Sequence, residues 1–281
     1  MSSQTDYVLG THDDELTRLG IQHKAWLPAA QEAWKVAGIG SGQTVLDLGS
    51  GPGYATLDLA ELVGPTGQVI AIDKSERFLG ALEAERRRRN LDQIKIVRSD
   101  LDNGDFPDVA ADAAWGRWVF AFLTQPRQVL ARVTSVVRPG GVIVIHEYFN
   151  YSTWQPTRPS AEHKRFVEAV TASWRDNGGE PNIALPLLDW LEDLNFELRR
   201  AHPIINVVEP GHPKWEWARS FLKVGRERLV ELGYLTQEQS QLIWKAFLAF
   251  EAMPGARMIT PAVMEIIAVK QTGGSNYFAQ P

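Results

Sequence analysis

The sequence of 281 residues contains no cysteine. This absence excludes disulfides, thiolate zinc sites and cysteine nucleophiles. Long apolar runs are also missing, because stretches such as 69–72 and 142–145 are far shorter than the eighteen or so residues that span a bilayer. The N-terminal segment has neither the basic nor the apolar region of a secretory signal. We therefore predict a cytoplasmic protein with no membrane partner.

The chain has fewer basic than acidic residues. The 29 Lys and Arg residues are outnumbered by 34 Asp and Glu, which gives a net charge of −5. A broad nucleic-acid-binding surface does not fit this balance, and we predict no nucleic-acid partner. The one basic run, 86–89, either binds phosphate or places cations at the negative end of a helix dipole. No His and carboxylate cluster has the spacing of metal ligands, so we predict no metal.

The middle of the chain alternates between segments with the apolar pattern of buried strands and segments with the apolar spacing of helices. Near-continuous apolar strands are separated by amphipathic helices, a pattern typical of a parallel sheet covered on both faces. The predicted strands are 43–49, 68–73, 94–100, one within 112–120, and 141–149.

The last half is less regular. We predict two further strands, at 196–209 and 263–271, each preceded by a long helical insertion. A capping box of Thr236 and Gln239 is expected to open the last helix. Insertions of this length usually form substrate lids or oligomer contacts, so these helices are candidates for a lid or for a homodimer contact.

The most informative segment is VLDLGSGPGYA, residues 45–55, in which a strand runs into a glycine-rich turn and a helix follows. Glycines allow a ligand to approach the backbone closely. A dinucleotide site requires a third glycine where this chain has Tyr54. Asp47, just before the loop, would repel a pyrophosphate but suits the ammonium group of S-adenosylmethionine (SAM).

Two further carboxylates follow predicted strands. Asp73 ends the second strand, where it can accept both ribose hydroxyl groups. Asp100 ends the third strand and can accept from an adenine amino group.

The ordered series VLDLGSGPG, AIDKSE, RSDLD and RPGGVIVIHE resembles the class I SAM-dependent methyltransferases. It is similar to their small-molecule subgroup, which includes the ubiquinone and menaquinone enzymes (methyltransferase type 11-like). The resemblance covers about residues 40–150. It implies an α/β fold with a Rossmann-like, seven-stranded, mostly parallel sheet whose last strand is antiparallel. It also implies SAM as cofactor, with S-adenosylhomocysteine as its product. The cofactor residues that we predict, within this segment and near it, are Asp47, Gly49, Ser50, Gly51, Gly53, Asp73, Lys74, Asp100, Leu101 and Arg117.

The chain departs from the methyltransferases of nucleic acids and proteins, which often have Asn/Asp-Pro-Pro-Tyr after the fourth strand. Here the segment is Trp115-Gly116-Arg117-Trp118. This difference favours a small acceptor. Besides its place in the cofactor set, Arg117 could anchor an acceptor carboxylate or pair with Glu147.

His146 and Glu147 end the fifth strand and are the predicted catalytic residues. His146 could act as a general base, and Glu147 could bind an acceptor amine. Neighbours on a strand point to opposite faces, so we expect only one of them to face the acceptor. A hydrogen-bonded structural role for His146 is the alternative.

The N-terminal segment is expected to fold over the cofactor. Tyr7, Gln22 and His23 are candidate contacts, with Tyr7 placed at the cofactor and His23 at the substrate; the alternative is an amphipathic helix packed on the core. Aromatic side chains near the insertions would stack on a planar acceptor or hold a cationic amine. The predicted substrate residues of this kind are Trp118, Tyr148, Trp154 and Trp217.

We therefore predict one methyltransferase domain over 1–281, with a cofactor core at about 40–150 and helical lid insertions from 1–35, 150–195 and 210–260. Its expected reaction is methyl transfer to O, N or C of a small, partly apolar or aromatic metabolite. Two alternatives fit the same motifs. One is a non-catalytic SAM-binding regulator or partner subunit, and the other is an enzyme that uses SAM without methylating.

Overall fold

A computed structural model describes residues 13–272, and for Asp13 the backbone alone. Within this range the chain alternates helices and strands as the apolar periodicity predicts. The helices are α1 (Asp13–Val36), α2 (Tyr54–Val63), α3 (Glu76–Arg89), α4 (Pro126–Val136), α5 (Ala161–Asp176), α6 (Ala184–Asp193), α7 (Pro213–Glu231) and α8 (Gln237–Glu251). The strands are β1 (Thr44–Leu48), β2 (Gln68–Asp73), β3 (Ile94–Arg98), β4 (Ala111–Arg117), β5 (Val137–Asn150), β6 (Gln155–Pro156), β7 (Phe196–Ile204), β8 (Val207–Val208), β9 (Met258–Ile259) and β10 (Ala262–Lys270).

Seven strands form one sheet in the order β3-β2-β1-β4-β5-β10-β7. β10 runs antiparallel to both of its neighbours, and the paired strands from β3 to β5 are parallel. The predicted fold, a mostly parallel sheet whose last strand is antiparallel, is therefore confirmed. β6, β9 and β8 form a small separate antiparallel sheet.

Helix ends follow their local chemistry. The Ser75 side chain caps α3 by accepting from the Phe78 N–H, and Thr236 and Gln239 form the predicted capping box of α8. The basic run at the end of α3 pairs with glutamates, chiefly Glu83 and Glu85, which supports the helix-end interpretation of these arginines.

Some predicted boundaries were wrong. β3 ends at Arg98, two residues earlier than expected, because the chain turns there into the loop that borders the sheet. The stretch 196–209 is divided into β7 and β8, since β8 leaves the main sheet and pairs with β9.

The apolar side chains form three clusters in the described part of the chain. One lies under α4 and α6, and a second lies on the opposite face of the sheet, under α1 and α2. The third is rich in tryptophan and is built from α1, α5, α7 and α8. This third cluster stands over the carboxyl ends of β4 and β5, so the inserted helices border the edge of the sheet where ligands bind in such folds.

Candidate active site

A cleft of about 1140 Å³ lies at the carboxyl ends of the parallel strands. The sheet order reverses between β1 and β4, and a crevice at this switch point is the usual ligand site of an open α/β sheet. One part of the cleft is lined by residues that follow β1, β2 and β3, and we call it the acidic half. The other is lined by aromatic side chains from β4, β5, α5, α7 and the connecting turns, and we call it the aromatic half.

The glycine loop forms the floor of the acidic half. Gly49, Gly51 and Gly53 have φ angles of 57°, 53° and 83°, in the left-handed region that favours glycine. Gly49 and Gly51 line the cleft, as does Ser50, whose buried hydroxyl has no hydrogen-bond partner among the described residues.

Gly53 does not line the cleft, which corrects the prediction that it contacts the cofactor. A Cβ at this position would lie 2.3 Å from Cδ1 of the buried Leu82. Gly53 is needed because α2 passes close to α3 here.

Asp73 ties the loop to the second strand. Its Oδ2 accepts from the Gly51 N–H at 2.8 Å and its Oδ1 accepts from the Ser75 N–H at 2.8 Å. Burial raises the pKa of Asp73, and the backbone donors partly oppose that shift. Each oxygen keeps a second lone pair, so the carboxylate can still accept from a diol in the cleft.

Asp47 is buried beneath the loop. Its Oδ2 accepts from the Thr56 hydroxyl at 2.5 Å. Burial raises the pKa of Asp47 to about 7, a shift that the Thr56 hydrogen bond opposes. A cation beside this carboxyl would favour its ionised form.

The other predicted cofactor residues after β2 and β3 also face the cleft. Lys74, Asp100 and Leu101 all line it, and Oδ1 of Asp100 accepts from the Asp102 N–H at 3.0 Å. The acidic half thus contains backbone N–H groups, an unpartnered hydroxyl and five carboxylates, among them Asp47, Asp73 and Asp100. The carboxylates can accept from the hydroxyl, amino and ammonium groups of SAM.

The aromatic half is a stack of rings. Trp118 lies between Tyr148 and Trp217, with centroid distances of 5.3 and 5.4 Å and interplanar angles of 12° and 3°. These three residues line the cleft, together with the fourth predicted substrate residue, Trp154. Such a wall binds planar or apolar groups.

Several lining residues were missed from the sequence. Tyr151, Trp174 and Phe221 complete the aromatic wall, and Arg18 lines the cleft from α1. Arg18 stands four residues before Gln22 and donates to it at 2.8 Å, so the i, i+4 spacing could have predicted this contact.

Arg117 and His23 meet where the two halves join. Arg117 Nη2 lies 3.0 Å from Nδ1 of His23, whose Nε2 lies 2.6 Å from Oδ2 of Asp58. Both residues line the cleft. The alternative pairing of Arg117 with Glu147 is wrong, because Glu147 bonds to backbone groups instead.

His146 is fully buried and does not line the cleft. Its Nε2 lies 3.2 Å from Oε2 of Glu265 on β10, and its ring packs edge-on against Trp115 at 5.0 Å. Burial lowers its pKa. The predicted role of general base is therefore corrected to the structural alternative.

Glu147 faces the other side of the sheet and is also fully buried. Its Oε1 accepts from the backbone N–H groups of Val119 and Phe120, at 2.6 and 2.7 Å. These bonds fix the turn after β4 and hold Trp118 at a φ of 53°. Because Glu147 does not reach the cleft, the predicted binding of an acceptor amine is also corrected.

Tyr7, the remaining predicted cofactor residue, lies outside the described residues. Between residues 13 and 272 there is no group of three or more His, Asp or Glu side chains that could hold a metal ion. Over the same range, every helix is too short or too polar to cross a membrane.

Comparison with known proteins agrees with this geometry. Residues 45–141 match the family model of a methyltransferase domain. Over 203 residues the chain is 37% identical to an uncharacterized 37.1 kDa protein of a Streptomyces fradiae transposon, an alignment that covers 71% of this chain and 56% of that protein. It is 31% identical over 134 residues to the ubiquinone/menaquinone biosynthesis C-methyltransferase UbiE of Pseudomonas fluorescens, which covers 46% of this chain and 50% of the relative.

Among solved structures, a putative methyltransferase from Bacillus halodurans has a TM-score of 0.59 at 17% identity and covers 86% of this chain and 98% of its own. That likeness supports the fold. Residues 45–141 therefore form a methyltransferase domain of the class I SAM-dependent family. Within that family, the chain is similar to UbiE and to demethylmenaquinone methyltransferases. The chain spans about half the length of the curated relatives that it matches.

Proposed function

We propose that this chain transfers the methyl group of SAM to an oxygen, nitrogen or carbon atom of a small, planar and largely apolar molecule. The observation that carries the proposal is the continuous cleft, in which a set of carboxylates and a glycine loop adjoins a wall of aromatic rings. SAM, when bound, supplies an activated methyl group on a sulfonium. The residues of this chain then need to bind, align and desolvate the two reactants.

The acidic half would hold the cofactor. Asp47 would accept from the ammonium group, Asp73 from the ribose hydroxyls, and Asp100 from the adenine. The aromatic half would hold the acceptor, since its rings form an apolar wall of the cleft beside the loop. The helices inserted after β5 and β7 would act as a lid. Contact between two copies through these helices is a further proposal, and Leu242 and Leu248 are exposed apolar side chains on α8.

Turnover tests this proposal. The protein is incubated with methyl-labelled SAM and a metabolite extract, and labelled products are separated by mass. We expect label in a small planar product, and none when Asp73 is replaced by Ala. Label that stays in SAM while a new product forms would support a non-methylating enzyme. Tight SAM binding without any product would support a regulator.

The pH dependence of cofactor binding tests the role of Asp47. Its pKa is raised to about 7, so at pH 6 most of the protein carries a neutral carboxyl that attracts an ammonium weakly. We expect the affinity for S-adenosylhomocysteine to rise about tenfold between pH 6 and 8, because binding to the ionised form releases a proton below pH 7. Calorimetry over this range measures the change.

Asp47→Asn is the matched control. It should bind S-adenosylhomocysteine more weakly and with a flat pH profile. The variant also separates Asp47 from Asp73, whose pKa is raised by burial too. If the affinity of Asp47→Asn for S-adenosylhomocysteine still rises with pH as in the parent, another group titrates.

A further inference from the structure

Arg117 is the last residue of β4 and stands where the acidic and aromatic halves meet. Its guanidinium carbon lies 5.4 Å from the ring centroid of Trp118 and 5.9 Å from that of Trp115. Nη1 is buried and has no hydrogen-bond partner among the described residues. Burial lowers the pKa of Arg117 to about 10, which leaves it charged at neutral pH. A buried guanidinium with a spare donor is costly unless an acceptor of a ligand meets it.

His23 of α1 and Asp58 of α2 fix the position of this guanidinium. Because a guanidinium can only donate, the Nδ1 atom of His23 accepts from Nη2 of Arg117 at 3.0 Å. The Nε2 atom of His23 then carries the ring proton and donates it to Asp58 at 2.6 Å. Tyr54 stacks on the imidazole with a centroid distance of 5.8 Å. The tautomer and the ring position are thus set, and Nη1 remains a buried donor without a partner among the described residues.

The two halves of the cleft differ in their carboxylates, whereas cations line both halves. Among the described lining residues, the acidic ones stand in the acidic half, at or after the ends of β1, β2 and β3. The aromatic half is bordered by the cations Arg18 and Arg117. Arg18 is held by a buried bidentate pair with Glu15, whereas Arg117 has no carboxylate within bonding distance in the described part of the chain. The aromatic half therefore favours an anion over an amine.

The same geometry leaves the aromatic half without a free base. His23 is the one histidine among the described lining residues, and both of its nitrogens are engaged. A phenol would have to lose its proton on binding, whereas a carboxylate is ionised before it arrives.

We propose that Arg117 is a carboxylate-binding subsite, that the acceptor is a planar molecule bearing a carboxylate, and that His23 and Asp58 are positioning residues for Arg117. This inference rests on the proposed function, because it takes the aromatic half to be the acceptor side. The carboxylate receives the Nη1 hydrogen bond while the planar frame lies against the aromatic side chains that line this half of the cleft.

Four probes of one shape test the proposal: 2-naphthoate, 2-naphthamide, 2-naphthol and 2-naphthylmethylammonium. Each is titrated by calorimetry into the protein saturated with S-adenosylhomocysteine. We expect 2-naphthoate to bind about tenfold or more tightly than the other three, because a charge-assisted hydrogen bond is about twice as strong as a neutral one. If 2-naphthol binds more tightly than 2-naphthoate, the acceptor does not bear a carboxylate. If 2-naphthylmethylammonium binds more tightly than 2-naphthoate, Arg117 does not form an anion subsite.

Substitutions show which residue causes the preference for 2-naphthoate. Arg117→Gln should lose about tenfold in 2-naphthoate affinity and leave 2-naphthamide within about threefold of the parent. If Arg117→Gln loses affinity for S-adenosylhomocysteine instead, Arg117 holds the methionine carboxylate and the proposal fails. If the parent binds no S-adenosylhomocysteine at all, the failure lies with the proposed function.

Asp58 provides the test of positioning. Asp58→Asn can donate to Nε2 and so favours the tautomer with the proton on Nδ1, which no longer accepts from Arg117. We expect a three- to tenfold loss for 2-naphthoate alone, restored in Asp58→Glu, with an unchanged melting temperature. A parent-like 2-naphthoate affinity in Asp58→Asn would show that the pair does not position Arg117.

Discussion

Replacing Asp73 by Ala is expected to lower the affinity for SAM and S-adenosylhomocysteine by about 30- to 1000-fold, or about 2–4 kcal/mol. The carboxylate is placed to accept from two ribose hydroxyls, and it also fixes the glycine loop through the Gly51 N–H. Both contributions disappear together in the variant. Calorimetric titration of S-adenosylhomocysteine measures the loss.

Glu76→Ala is the control for this result. Glu76 also lines the cleft, but its side chain is 78% exposed and pairs with Arg98 at the rim. Its removal deletes one negative charge from the same half and should change the affinity by less than about threefold, since exposed pairs contribute little. Parent-like binding by Asp73→Ala would show that the ribose contact lies elsewhere.

Gly53→Ala is expected to destabilise the folded protein by about 3 kcal/mol or more. A left-handed φ costs an L-residue about 1–2 kcal/mol, and overpacking a core costs about 1–3 kcal/mol more. The added methyl would lie 2.3 Å from Cδ1 and 3.0 Å from Cβ of Leu82, so rotation of the leucine tip alone cannot relieve the contact. Denaturant unfolding without ligand measures the change.

Gly51→Ala separates the cost of the left-handed backbone conformation from the cost of overpacking. Gly51 has a similar positive φ of 53°, but a Cβ there meets nothing within 4 Å. We expect a loss of about 1–2 kcal/mol in the free energy of unfolding, from the backbone conformation alone. Equal losses in the two variants would mean that α3 moves freely to accommodate the methyl at position 53.

The helices and the parallel strands could be predicted because their apolar spacing is local information. Residues 68–73 have the predicted bounds, and the Ser75 and Thr236 caps follow from residue types at fixed offsets. The glycine loop and the carboxylates after β1, β2 and β3 were found for the same reason, since parallel strands bring their carboxyl ends to one edge.

The contacts that depend on distant segments could not be predicted. Strand alternation shows that His146 and Glu147 face opposite ways, but the partner that buries His146 is Glu265, 119 residues later. Glu147 is buried by the turn that it caps. The contact between His23 and Asp58 joins two helices 35 residues apart, and neither pattern nor spacing indicates it.

The most direct test of the account compares two cofactors on the unmodified protein. S-adenosylhomocysteine and NADH are titrated separately by calorimetry at pH 8, where Asp47 is mostly ionised. We expect micromolar binding of S-adenosylhomocysteine, about −8 kcal/mol, and far weaker binding of NADH, because Asp47 opposes a pyrophosphate and Tyr54 occupies the place of the third dinucleotide glycine. Tight NADH binding without S-adenosylhomocysteine binding would contradict it.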